Sequence, residues 1–136
     1  MRAVLDVNVV ISALLSPRSG PAETMRAWLR GDFELVVSPA LLAELERALA
    51  YPKLAERIGA SDREELLELL ARAAVVLDDP EGPPPLGSAD PDDDYVLSLA
   101  QSARAVVVSG DRHLTDLAGQ LPVYTPTQLL ELLAGT

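Results

Sequence analysis

Short apolar runs, each followed by residues spaced for a helix, are the feature that most limits what this chain can form. Ala3-Val4-Leu5, Phe33-Glu34-Leu35-Val36-Val37, Val75-Val76-Leu77, Ala105-Val106-Val107-Val108-Ser109 and Pro122-Val123-Tyr124 read as five strands. The run from Ala105 to Ser109 is the clearest, because nearly continuous apolar sequence marks a strand covered on both faces. Between the runs the period changes. Val9, Val10, Ala13 and Leu14 recur at helical spacing, and a second helix from Ala22 to Arg30 stops at Gly31. Ser38-Pro39 supplies an N-cap and a first-turn proline to a helix whose stripe is Leu41, Leu42, Leu45, Ala48 and Leu49. Pro52 begins a stretch to Ile58, and Ser61-Asp62-Arg63-Glu64 fits a capping box opening the helix through Leu70. Asp90-Pro91 opens the helix carrying Val96, Leu97, Leu99, Ala100 and Ala103 inward. Thr125-Pro126-Thr127-Gln128 is another capping box, starting a last helix through Leu129, Leu130, Leu132 and Leu133, a core stripe with a share in a dimer interface. Strands alternating with helices call for an α/β fold, a parallel sheet covered on both sides. Right-handed crossovers then bring every strand C-terminus to one edge, where open sheets of this kind bind ligands.

The chain has 136 residues, which suits one domain, 1–136, since smaller pieces would bury too little core. The 13-residue segment Asp78 to Asp90, with four prolines and two glycines, is long for a connection, a length that goes with mobility or function. No apolar stretch approaches the length of a membrane span, and Asp6 interrupts the first run, so neither a membrane helix nor a signal peptide is expected. The expected compartment is the cytoplasm. Absence of cysteine excludes disulfides, zinc–thiolate sites and thiol nucleophiles. The net charge of −10, from 21 acids against 11 bases, opposes tight non-specific binding of a polyanion. Any nucleic-acid substrate would need local arginines and bound cations.

Acids nevertheless collect where the sheet edge should be. Asp6 ends the first strand, and Asp111 lies two residues past the Val-rich strand. Asp90, Asp92, Asp93 and Asp94 open a helix, where the helix dipole alone favours acids by about 0.3–1 kcal/mol each. At about 100° per residue, Asp94 falls on the polar side with Ser98, Gln101 and Ser102, whereas Asp92 and Asp93 flank the apolar stripe. Glu44 and Glu46 flank the Leu41–Leu45–Leu49 stripe on opposite sides. Periodicity selects neither member of either pair. Asn8 reads equally as a helix cap or a substrate contact, Ser109 as a strand-end hydroxyl, and the lone His113 as a surface position. Arg104 and Arg112 are candidates for phosphate contact. Three or four carboxylates converging without His or Cys suit a hard cation, Mg²⁺ or Mn²⁺, and such ions serve phosphodiester hydrolysis without a covalent nucleophile.

The segments Arg2 to Ala13, Leu42-Ala43-Glu44-Leu45, Asp90-Pro91-Asp92-Asp93 running to Ala100, and Val108-Ser109-Gly110-Asp111 resemble the four motif blocks of PIN-domain ribonucleases. The likeness is nearest to the branch of toxin components of type II toxin–antitoxin pairs. It implies a three-layer α/β/α fold with a five-stranded parallel sheet ordered 3-2-1-4-5. It also implies metal-dependent cleavage of single-stranded RNA by Mg²⁺ or Mn²⁺, leaving a 5′-phosphate and a 3′-hydroxyl. Carried over by position, the metal-binding and catalytic acids fall on Asp6, Glu44, Asp93 and Asp111, with Asn8 and Ser109 as supporting polar residues. A homodimer and a cognate antitoxin are the implied partners. Val7 stands where a hydroxyl residue is common, and Ser109 where threonine is frequent; neither change removes an acid.

Three other classes compete. A phosphoacceptor domain would also place Asp at the end of its first strand, but it needs a lysine near that edge, and Lys53 lies in a helical stretch. A mononucleotide-binding loop is absent, because no Gly-rich segment ends in Gly-Lys-Ser or Gly-Lys-Thr. The remaining alternative is a non-catalytic PIN-like module that binds RNA or a protein.

Overall fold

A computed structural model describes residues 1–84 and 94–135. Asp90, Asp92 and Asp93, with the expected helix start at Asp90-Pro91, lie outside the described residues. In chain order the elements are β1 (Arg2–Leu5), α1 (Val7–Leu15), α2 (Gly20–Leu29), β2 (Glu34–Val37), α3 (Pro39–Leu49), α4 (Pro52–Arg57) and α5 (Ala60–Ala73). They continue with β3 (Val75–Val76), α6 (Asp94–Ala103), β4 (Val106–Val108), α7 (Arg112–Thr115), β5 (Val123–Tyr124) and α8 (Pro126–Ala134).

The strands pair in parallel in the order β3-β2-β1-β4-β5, the order implied by the sequence resemblance. Leu5 at the end of β1 lies opposite Val108 at the end of β4. The chain leaves β1 toward β2 and later returns to β1's other side as β4. The carboxyl ends of β1 and β4 therefore flank the sheet's topological switch point. Helices cover both faces in a three-layer α/β/α arrangement. On the layer built around α1, that helix packs on α2 and α3, and α2 on α8; α6 packs against β1 and β4. The central strands are sealed, with Ala3, Val4, Val36 and Val108 fully buried, as a doubly covered parallel sheet requires.

Local chemistry sets most helix ends. Ser38 accepts the Leu41 N–H at 3.2 Å with Pro39 behind it. Asp79, from the proline-rich connection, adds a carboxylate to the same terminus by accepting the Ala40 N–H at 2.8 Å. Both bonds fix the start of the helix that carries Glu44. Thr125 and Gln128 close a reciprocal capping box on α8, whose Leu129 is fully buried while Leu132 is 37% exposed. Helix α2 stops at Gly31, φ +87°, where Gly31 N–H reaches the Trp28 carbonyl and Asp32 N–H the Ala27 carbonyl, the paired bonds of a Schellman ending.

One expected cap is not formed. Helix α5 begins at Ala60 with Gly59 at its N-cap and no side-chain capping bond, so Ser61 already lies within the first turn. Buried Ile58 fixes the approach of the chain, and Arg63 N–H closes onto the Gly59 carbonyl at 3.1 Å. Tertiary burial has moved the boundary ahead of the local signal. No helix among the described residues is long and apolar enough to cross a membrane.

Candidate active site

Asp6 leaves β1 directly into α1, and its backbone N–H bonds the Val108 carbonyl of β4 at 2.9 Å. The residue is 6% exposed, one of the few buried polar side chains described. Its Oδ2 accepts a hydrogen bond from Ser109 Oγ at 2.9 Å. Ser109 Oγ in turn accepts the Asp111 N–H at 2.9 Å, so one buried hydroxyl, 103 positions from Asp6 in sequence, joins the two acids. Ser109 is itself fully buried, anchored by its N–H to the Tyr124 carbonyl of β5.

Asp111 is half-buried and caps α7, accepting the His113 N–H at 2.9 Å. Glu44, half-buried on α3, accepts the Tyr95 hydroxyl of α6. Burial pushes the Asp6 carboxyl above its ordinary value of 3.8, and the neighbouring charges of Asp111 and Glu44 raise it further. The Ser109 hydroxyl and the facing Asn8 backbone N–H work the other way, although the latter closes no capping bond. Asp6, Asp111 and Glu44 thus arrive from three elements at the C-terminal edge of the sheet.

The flanking residues divide. Glu46 is exposed. Asp6 occupies the N-cap position of α1, so Asn8 is no cap; it is exposed and lines a groove of about 440 Å³ with Ser12, Asp111 and Thr127. Arg104 is the clear misplacement. It follows α6 and precedes β4, which puts it at the opposite, N-terminal edge of a parallel sheet, beside a cavity lined by Leu97, Ala100 and Pro122. Arg112, directly after Asp111, is exposed, as is His113. Sequence reasoning missed Tyr95. Its position at the start of α6, on the flank of the Val96–Leu99 stripe, was the only available signal.

Among the described residues, no three acids or histidines stand close enough together to hold a metal ion. Asp93, the remaining acid of the sequence reading, lies outside the described residues. The donors present are nonetheless of the right kind: carboxylate oxygens, one buried and repelled by two others, whose repulsion a divalent cation would relieve.

Known proteins agree with this frame. The chain is 25% identical to the uncharacterised protein MJ1680 of Methanocaldococcus jannaschii, over 96% of this chain and 90% of that one. VapBC2 from Rickettsia felis, solved bound to a DNA fragment from its promoter, superposes with TM-score 0.59 at 14% identity, covering 90% of this chain and 97% of that one. FitAcB from Neisseria gonorrhoeae superposes with TM-score 0.55 at 23% identity, covering 92% and 98%. Those two likenesses establish the fold. The PIN-domain family model matches residues 2–113, the span holding Asp6, Glu44, Ser109 and Asp111, and on that match the chain belongs to the PIN-domain family.

Proposed function

We propose that this chain is a Mg²⁺- or Mn²⁺-dependent endoribonuclease acting on single-stranded RNA. The observation that carries the reading is buried Asp6, held by Ser109 and repelled by Asp111 and Glu44. Asp6, Glu44 and Asp111 would hold the cation, with Asp93 as the fourth acid on the strength of the sequence resemblance. A bound Mg²⁺ or Mn²⁺ supplies Lewis-acid polarisation of a phosphoryl oxygen. Ser109 fixes the rotamer of Asp6 and the backbone at Asp111, so the acids are oriented before substrate arrives. Asn8 and Ser12, exposed along the adjoining groove, offer hydrogen bonds to the RNA backbone.

The reading takes residues 1–136 as one domain working in the cytoplasm. A type II toxin is the biological role it favours, on the sequence resemblance to that branch and the likeness in fold to VapBC2 and FitAcB. A cognate antitoxin and a homodimer are the corresponding partners.

The test is cleavage of end-labelled single-stranded RNA in manganese, with chelator and Asp6→Asn controls. Metal-dependent products bearing 5′-phosphates support the reading. Equal cleavage by Asp6→Asn would expose a contaminant and end it, whereas RNA binding without metal-dependent cleavage would assign the non-catalytic module.

A further inference from the structure

A second cavity, of about 490 Å³, includes Glu44 in its lining. It is built on one face of α3, where Ala40, Glu44, Arg47 and Ala48 follow one another at helical spacing, and is completed by Tyr51 at the N-cap of α4 and Tyr95 of α6. The two alanines leave a floor without bulk. Tyr51 is 67% exposed, the most exposed large apolar side chain described. Aromatic residues are scarce here, with one Trp, one Phe and three Tyr in the chain. Trp28 and Phe33 are core, so placing two tyrosines at the cavity that Glu44 lines is a costly use of scarce rings.

We infer that this niche of Tyr51, Tyr95, Arg47 and Glu44 is a subsite for one unpaired nucleobase of the RNA, an inference that rests on the proposed nuclease reading. The chemistry selects that occupant. A bare anion would meet the Glu44 carboxylate. An aliphatic side chain would leave Arg47 and Glu44 without use. A planar, uncharged ring stacks on tyrosine and turns a hydrogen-bonding edge toward the acid or the guanidinium. The cavity is also within the range of small-ligand sites. Stacking suits this molecule for a second reason: it does not depend on neutralising phosphates, which a chain of net charge −10 does poorly. A base in a duplex presents no free face, so the niche favours single strands. Tyr95 then has two roles, holding Glu44 through its hydroxyl and walling the subsite with its ring.

The experiment reads binding apart from turnover. Anisotropy of a short labelled single-stranded RNA is measured in magnesium on Asp6→Asn protein, in which the RNA stays whole. Adding Tyr51→Ala should weaken binding about tenfold, the effect of one lost base stack, while Tyr51→Phe should stay within about twofold. An abasic scan of the RNA should reveal one position with the same loss, where Tyr51→Ala adds nothing further. Undiminished binding by Tyr51→Ala, losses that add at every position, or no binding by the Asp6→Asn protein would each overturn the subsite. So would a Tyr51→Ala change in sedimentation, since the niche would then be an interface between copies. Cleavage by wild type that persists alongside any of those results would leave the nuclease reading standing and remove only the subsite. Tyr51 is exposed, so unfolding of the alanine variant is not expected, and an unchanged melting temperature verifies it.

Discussion

Replacing Ser109 with alanine removes the single hydroxyl that joins Asp6 to Asp111. Two bonds of 2.9 Å disappear together. The first is a buried, charge-assisted bond, worth about 1.5–3 kcal/mol, and the second leaves the Asp111 N–H unsatisfied at about 1 kcal/mol. The combined loss is therefore about 2.5–4 kcal/mol. For 136 residues the unfolding entropy is about 0.29 kcal/mol/K, so the metal-free variant should melt about 9–14 °C lower. The loss should also depend on pH. Ser109 favours the ionised form of Asp6, so removing it costs most at neutral pH and least in acid, where Asp6 is protonated in both proteins. Differential scanning calorimetry in chelator at neutral and acid pH measures both effects. A drop below about 2 °C, or a drop equal at both pH values, would refute the claim that this hydroxyl orders the acids.

Asp6→Asn should abolish cleavage and raise the melting temperature of the metal-free protein at neutral pH. Because folding raises the Asp6 pKa, its contribution is fully present below 3.8 and lost as pH climbs through the raised value. The advantage of the Asn variant should accordingly shrink as pH falls toward 3.8, and thermal melts from neutral to acid pH in chelator check the sign. Glu44→Gln should lower the cleavage rate by about 100-fold or more while Glu46→Gln stays within about twofold; the reverse order in a steady-state assay would relocate the acid on α3. Arg104→Gly should stabilise the fold by about 0.5–1 kcal/mol, or about 2–3 °C. Arg104 sits at φ +55°, in the left-handed position of a Schellman ending that normally holds glycine. A melting temperature that falls would show that the arginine side chain does more than the strain costs.

Topology was legible in the sequence because it rests on periodicity, which is local. Asp6 after Ala3-Val4-Leu5 and Asp111 after Val106-Val107-Val108 follow to the same sheet edge from parallel pairing alone. The Arg104 placement needed only that rule applied in reverse, since a residue ahead of a parallel strand stands at the opposite edge. Other features were out of reach. Glu44 and Glu46 flank the same stripe symmetrically, and what distinguishes them is the Tyr95 hydroxyl, 51 positions away. Ser61 had every local mark of a cap, and the burial of Ile58 overrode it. The two Schellman endings are alike in hydrogen bonding, yet Gly31 announces one and Arg104 conceals the other.

Capping is the strongest rival explanation for acids at a sheet edge, and it divides the two central ones. It accounts for Asp111, whose Oδ1 accepts the His113 N–H at the start of α7. It does not account for Asp6. That residue occupies the N-cap position of α1 but makes no capping bond, and its carboxylate faces inward to Ser109 while lying 6% exposed. Asparagine at the same place would keep the Ser109 bond and shed the repulsion from Asp111 and Glu44. A fold that served stability alone would gain by that exchange, so the retained charge points to a cation that the neutral side chain would hold less well.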